Sequence, residues 1–514
     1  MRSVKMLTTI PVSPRWLPAP ALLATLAALS GGCWVRGLPV EPGDGTGGSG
    51  YYGTGGSGYY GTGGSDYGTG GSDYGSGGNG YCGGGSGGNY GSGGSGGSLG
   101  YDPNVTGLLS PPNVPSVRNK LDLLLMVDNS ASMAPLQVKL AARLPVLLNG
   151  LRDTTTGQLP DLHVGVVSSS MGGGAWSNVN QCGAGSHPGD DSGKLQQGPG
   201  GAGSGACSAL HMGQKFLASG DGTAASPANF DGDISTAVQC MAQLGDNGCG
   251  FEAPLKSIVY ALSKALDPLD PDNGGFLRPD ARLAIVMLTN EDDCSLSDVS
   301  LLLDPGINSA TDITGLGSLQ SYRCNEFGHL CGGQPPPHGY DFATSTFNLA
   351  TGTYRTAAGP GTGGVILNGC VSADENGKTD PLLLDPTGQP DPSQGHLFTI
   401  PSLAATIKSA KANPADVFVA AIAGPTTAAD GSSLYRVFAQ TNPAANGEPD
   451  PVVDHSCVQA STNSSAPEYA DPAVRIKQLV DGYGAQGAFY PICSNDYMTA
   501  EQGIASGIKA LITR

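Results

Sequence analysis

Asp128-Asn129-Ser130-Ala131-Ser132 sets one carboxylate and two hydroxyls at alternate positions, a D-x-S-x-S pattern. All three are hard oxygen donors, and neither Cys nor His stands among them. Such donors suit Mg²⁺, Mn²⁺ or Ca²⁺ and not Zn²⁺. The hydroxyls bring no charge, so a divalent cation held by Asp128, Ser130 and Ser132 stays electrophilic. An octahedral ion with few protein ligands also keeps exchangeable positions, one of which an incoming carboxylate could fill. The other role open to Ser130 and Ser132 is to cap a following helix.

The flanking elements decide where these donors stand. Residues 121–127 are an apolar run broken only by Asp122, the pattern of a strand buried in a parallel sheet. Beyond the motif, Leu136, Leu140, Leu144, Leu147, Leu148 and Leu151 recur on one helical face, with Pro145 expected to kink or locally break that helix. The donors therefore lie at the carboxyl end of a strand and the start of a helix, where open α/β sheets bind ligands. Further strands are expected at 161–169, 282–288, 416–423 and 486–490, and helices at 234–244, 255–266, 473–483 and 499–512. This alternation predicts an α/β fold, a doubly wound, mostly parallel sheet flanked by helices. His163 reads as a core histidine. The acidic stretch 267–273 lacks EF-hand spacing and reads as a solvated turn.

With Met133 behind it, the strand and D-x-S-x-S resemble the metal-ion-dependent adhesion site of a von Willebrand factor A (VWA) domain. The resemblance implies that Asp128, Ser130 and Ser132 hold the ion and that an acidic side chain of a partner protein completes its coordination. It also implies a Thr ligand in the loop before the helix at 255–266. The stretch 249–262 has no Thr, and Glu252 is the nearest oxygen donor. Glu252 in that place adds a negative charge, which favours Ca²⁺ or tighter cation binding and weakens recognition of an acidic partner. Its alternative role is to face a helix N-terminus. After the strand at 282–288 the family has an Asp where this chain has Asn290, a neutral oxygen donor, with Asp292 and Asp293 close enough in sequence to compensate. The runs at 291–295 (EDDCS), 455–457 (HSC), 471–475 (DPAVR) and 492–496 (ICSND) resemble those of secreted, Cys-containing VWA lipoproteins of Gram-negative bacteria. The resemblance spans roughly residues 118–512, with a divergent middle.

The chain's beginning reads as an export signal. Arg2, Lys5 and Arg15 precede an apolar segment at 17–29 that is too short to span a membrane. Ser30-Gly31-Gly32-Cys33 resembles a bacterial lipobox, with Ser30 where Leu is usual. Residues 1–33 are thus expected to be a lipoprotein signal, with Cys33 lipidated. Trp34 in place of Asp implies, by analogy, the outer membrane or cell surface, reached through the lipid anchor. Residues 34–110 are a Gly/Ser/Tyr-rich spacer, with degenerate repeats of seven or eight residues between 51 and 80. Such a spacer is expected to be disordered and to reach roughly 45–50 Å. Residues 111–514 form the globular part, with insertions expected at about 171–229 and 295–412.

The formal net charge is −18, which makes nucleic acid a poor partner and none is expected, since phosphate binding needs a basic face. Of twelve cysteines, Cys33 is assigned to lipid and Cys82 lies in the spacer, where it could crosslink chains. The remaining ten, Cys182, Cys207, Cys240, Cys249, Cys294, Cys324, Cys331, Cys370, Cys457 and Cys493, are even in number and predict five disulfides in an exported head. The expected pairs are Cys182–Cys207, Cys240–Cys249 and Cys457–Cys493. There is no H-E-x-x-H, no P-loop and no convincing G-x-S-x-G elbow, and an enzyme is not expected. The function read from the sequence is a surface lipoprotein whose head binds a protein or extracellular-matrix ligand through a divalent cation. The alternatives are a metal-independent structural or coat protein and, behind it, a secreted hydrolase using His455.

Overall fold

The computed structural model describes residues 114–173, 182, 191–199, 207–220, 226–297, 302–303, 319–337, 364–373, 396–441, 449–461 and 464–514. The expected signal, Cys33, the expected spacer and Cys82 lie outside the described residues.

In chain order the elements are β1 (Lys120–Val127), α1 (Ala134–Leu151), β2 (Asp161–Ser168), β3 (Leu217–Ala218), α2 (Ile234–Met241), α3 (Pro254–Leu266) and β4 (Arg282–Leu288). Then come α4 (Tyr322–Glu326), β5 (His329–Cys331), β6 (Val365–Ile366), β7 (Cys370–Ser372), α5 (Ile400–Ser409) and β8 (Val417–Ala423). The chain closes with β9 (Arg436–Thr441), β10 (Pro449–Val453), β11 (Cys457–Gln459), β12 (Glu468–Ala470), α6 (Val474–Asp481), β13 (Gly487–Pro491) and α7 (Met498–Ile512).

Six strands form the central sheet in the order β13-β8-β4-β1-β2-β3. All neighbours run parallel except β3, which is antiparallel to β2. β1 lies inside the sheet and so must be apolar on both faces. Its Leu121, Leu123, Leu125 and Val127 pack with α1, α2 and α7. Leu124 and Met126 face the other way, onto α3, α5 and α6. Each fully buried Leu contributes on the order of 2 kcal/mol. The sheet is therefore covered on both sides, an α/β architecture of the doubly wound kind.

Three expectations need correction. Pro145 does not break α1, which runs through it from Ala134 to Leu151. A proline leaves the carbonyl four residues back without its helical donor. That carbonyl belongs to Ala141, and the Gln239 amide of α2 donates to it at 2.8 Å. The stretch expected as an insertion up to residue 412 contains a core element, since Ile400, Leu403 and Ile407 of α5 pack onto the sheet. The disulfides also differ. Cys182 bonds Cys249 and Cys207 bonds Cys240, rather than Cys182–Cys207 and Cys240–Cys249. The reason is spatial, because Cys207 and Cys240 belong to the core beneath α1 and α2. Cys182 and Cys249 join Phe251 and Leu296 in a separate cluster. Cys457–Cys493 forms as expected, and Cys294–Cys324 and Cys331–Cys370 complete the set. Five disulfides speak for an oxidising, extracellular setting. Among the described residues no helix is long and apolar enough to cross a membrane.

Candidate functional site

Sheet register builds the site. Val127 of β1 stands beside Ser168 of β2 and Leu288 of β4. The next residue on each strand is therefore Asp128, Ser169 and Thr289, side by side at the carboxyl edge. Ser169 Oγ donates to Asp128 Oδ1 at 2.8 Å and Thr289 Oγ to Oδ2 at 2.8 Å. The Ser130 amide adds a bond to Oδ1 at 2.9 Å. Asp128 is fully buried. Burial pushes its carboxyl up from the ordinary Asp range, against the pull of these hydrogen bonds.

The two motif hydroxyls do not cap α1. Its N-cap is Met133, with no side-chain cap bond. Ser132 Oγ instead accepts from Asn290 Nδ2 at 2.9 Å, and the same amide donates to the Tyr469 carbonyl at 3.1 Å. Ser130 Oγ lies near enough to Asp128 to help hold its charge. It nevertheless makes no well-formed hydrogen bond, and the buried Asn290 Oδ1 has no hydrogen-bond partner among the described residues. Leaving two buried oxygens without donors costs free energy that a folded protein usually avoids. Of the donors, Ser132 is half-buried and the rest are buried.

Glu252 does not serve α3. The first turn of that helix is satisfied by Asp293 Oδ1, which accepts from Leu255 N at 3.1 Å, and by Ser295 Oγ, which accepts from Lys256 N at 2.8 Å. Glu252 is buried, and its carboxyl keeps its proton well above the usual carboxylate range. Burial is the main cause, followed by the charges of Glu291 and Asp128. A hydrogen bond to Glu291 joins the two carboxyl groups.

Asp292, expected to compensate for Asn290, is engaged elsewhere. It accepts from the Arg475 and Ile476 amides at the start of α6 and pairs with His329 Nε2 at 2.8 Å. Asp293 likewise holds Arg475 Nε at 3.1 Å. Both acidic side chains are thus helix and ion-pair partners, and the structure does not bring them to Asp128.

Two glycines let the loops close around the site. A Cβ on Gly248 would stand 2.3 Å from Asn129 Oδ1, and one on Gly424 would stand 1.7 Å from the Asp471 carbonyl. Gly248 N donates to the Asn129 carbonyl at 2.7 Å, and Asp471 N to the Asn290 carbonyl at 2.8 Å. Both approaches set residues of the site directly. Next to it, His455 Nδ1 meets Asp471 Oδ1 at 2.6 Å, and its ring stacks on Tyr469 at 4.0 Å. Lys139 of α1 anchors this hairpin through Glu468 and the Ser494 carbonyl. His163 packs in the core as expected, its Nδ1 against the Phe276 carbonyl at 2.9 Å. In the acidic turn, Asp270 Oδ1 accepts from the Asp272 and Asn273 amides, and the turn closes on itself.

Ser169, Thr289 and Glu291 were not singled out in the sequence. Ser169 and Thr289 each directly follow an apolar strand, which is the one signal that could have marked them; that those strands flank β1 is decided by the fold. Glu291 carries no such signal. Among the described residues no group of three or more His, Cys, Asp or Glu is placed to hold a metal ion. Hydroxyl and amide oxygens would therefore have to share that work with Asp128, and Ser130 Oγ and the unpartnered Asn290 Oδ1 are such oxygens.

Comparison with protein-family models, with curated proteins and with solved structures found no match for this chain.

Proposed function

We propose that this chain is an exported, lipid-anchored surface protein whose VWA-like head holds a divalent cation and binds a protein or matrix partner through it. Asp128, Ser130, Ser132 and Asn290 are the ligands, with Glu252 at the side where the family carries Thr. One observation carries the reading. Two buried oxygens, Ser130 Oγ and Asn290 Oδ1, stand without well-formed hydrogen bonds beside a buried carboxylate at the carboxyl edge of a parallel sheet. An ion bound there supplies a Lewis-acidic centre. The chain's own part is to orient the donors, with Ser169 and Thr289 fixing both oxygens of Asp128. Half-buried Ser132 marks the side open to a partner.

The test is calorimetric titration of the full chain, disulfides oxidised, with Mg²⁺, Mn²⁺ and Ca²⁺. Saturable binding in the wild type that the Ser130→Ala/Ser132→Ala double variant loses is the expected result. A folded wild type that binds none of the three ions would sink the proposal and leave the metal-independent scaffold as the better reading.

A further inference from the structure

Ser130 is the proposed ligand whose place is least explained by its own bonds. Its hydroxyl makes no well-formed hydrogen bond, and its amide is held by Asp128 Oδ1 at 2.9 Å. What remains to direct it is Asn129, the residue between the two. Asn129 is buried and held at both ends. Its carbonyl accepts from Gly248 N at 2.7 Å, and its Oδ1 accepts from Ser170 Oγ at 2.9 Å. Ser170 is itself fully buried, and its Oγ accepts from Cys249 N at 2.9 Å. One hydroxyl thus serves as acceptor for one loop and donor to another, and both roles are filled. Cys249 is fixed in turn by its disulfide to Cys182 and by a buried cluster with Phe251 and Cys294. Further along the same loop, Ala253 N donates to the Ser169 carbonyl at 2.9 Å, and the Glu252 carbonyl accepts from Cys294 N at 2.7 Å.

Resting on the cation reading above, we infer that Ser170 is a positioning residue of this site, holding the 128–132 loop through Asn129 in the shape that binds the ion. Removing its hydroxyl strands two buried groups, the Cys249 amide and Asn129 Oδ1. Such groups regain partners only if one side shifts. The disulfide and its cluster hold Cys249, so the 128–132 loop is the side that moves. Ser169 and Thr289 still grip Asp128, and the displacement falls on Ser130. Partners that orient a metal ligand from behind are worth about tenfold to a hundredfold in affinity.

The experiment measures Mn²⁺ affinity of the full, oxidised chain by water-proton relaxation, with urea unfolding of the same samples free of metal. Ser170→Ala is expected to weaken Mn²⁺ binding about tenfold or more. Asn129→Ala should do the same, and the double variant should bind no more weakly than either single one, because both act through one contact. Gln239→Ala is the control for general destabilisation. It removes a donor to the Ala141 carbonyl, and Mn²⁺ affinity should not change. A Ser170→Ala chain that unfolds more easily yet binds Mn²⁺ like the wild type overturns the inference and leaves the cation reading standing. Losses that add in the double variant overturn it too, since Ser170 would then act by another route. Equal weakening by Gln239→Ala does the same. Should Ser170→Ala not fold, Asn129→Ala decides alone, and wild-type affinity in that variant overturns the inference. A folded wild type that binds no Mn²⁺ overturns the cation reading and this one with it.

Discussion

One buried aspartate lies near the amino end of β1 and another directly follows its carboxyl end, and the two live in opposite surroundings. Asp122, near the amino end, accepts from Arg278 Nε at 2.8 Å and from Lys411 Nζ at 2.9 Å. Arg278 goes on to Asp161 at 2.6 Å, so charge is met by charge throughout. Asp128, at the carboxyl end, meets only hydroxyls and one amide, with two oxygens beside it lacking good donors. The amino end is a closed ion-pair network. The carboxyl end instead holds a buried carboxylate among hydroxyl and amide oxygens, and it is there that the proposed cation site lies.

The largest effect should come from breaking the closed end. Asp122→Ala takes from the buried Lys411 its only carboxylate among the described residues and from Arg278 one of two, and is expected to cost about 3–5 kcal/mol. Asp128→Asn relieves a buried charge and should change metal-free stability by no more than about 1 kcal/mol, with loss of cation binding. Urea unfolding of both variants checks the contrast, and similar losses would erase it.

A third buried carboxyl sharpens the point. Glu501 of α7 is buried with neither oxygen in a well-formed hydrogen bond, and burial raises its carboxyl to about 8. The folded state therefore keeps a proton that the unfolded chain releases above its ordinary value of 4.5. Stability should fall as pH rises from about 4.5 to 8 and level off above, by as much as roughly 5 kcal/mol. Glu501→Gln should flatten that decline, as thermal unfolding across this pH range would reveal.

Smaller effects follow. Gly248→Ala forces a methyl group onto Asn129, and a destabilisation of about 1–3 kcal/mol with weakened cation binding is expected. Gln239→Ala strips the Ala141 carbonyl of its donor at Pro145 and should cost about 1 kcal/mol with binding intact. Smallest on stability is Ser130→Ala. Its hydroxyl has no well-formed bond to lose, so metal-free unfolding should shift by only a few tenths of a kcal/mol. A large loss would mean that this hydroxyl already has a structural partner.

Much of the scaffold was legible in the chain. β4 was read with the bounds it has, and β1, β2, β8 and α3 within a residue, since strands buried on both faces must be apolar runs and an amphipathic helix shows its stripe. Of the site, Asp128, Ser130 and Ser132 share one loop, and their proximity is local. The role of Asp292 was misjudged because its partners, Arg475 and His329, lie far along the chain. Two disulfides were misassigned for a like reason, as proximity in sequence was taken for proximity in space.

By itself the sequence determined which segments must be buried, where the hard oxygen donors stand at a strand end, and that the head holds an even set of cysteines. These are properties of short windows, set by side-chain chemistry and periodicity. Only the tertiary structure decided that Ser169 and Thr289 grip Asp128, that Asn290 meets Ser132, that Glu252 faces Glu291 rather than a helix, and which cysteines join. Those outcomes depend on strand register and on loops closing over tens to hundreds of residues. No local window carries that information, because the energy that selects it comes from packing between distant elements.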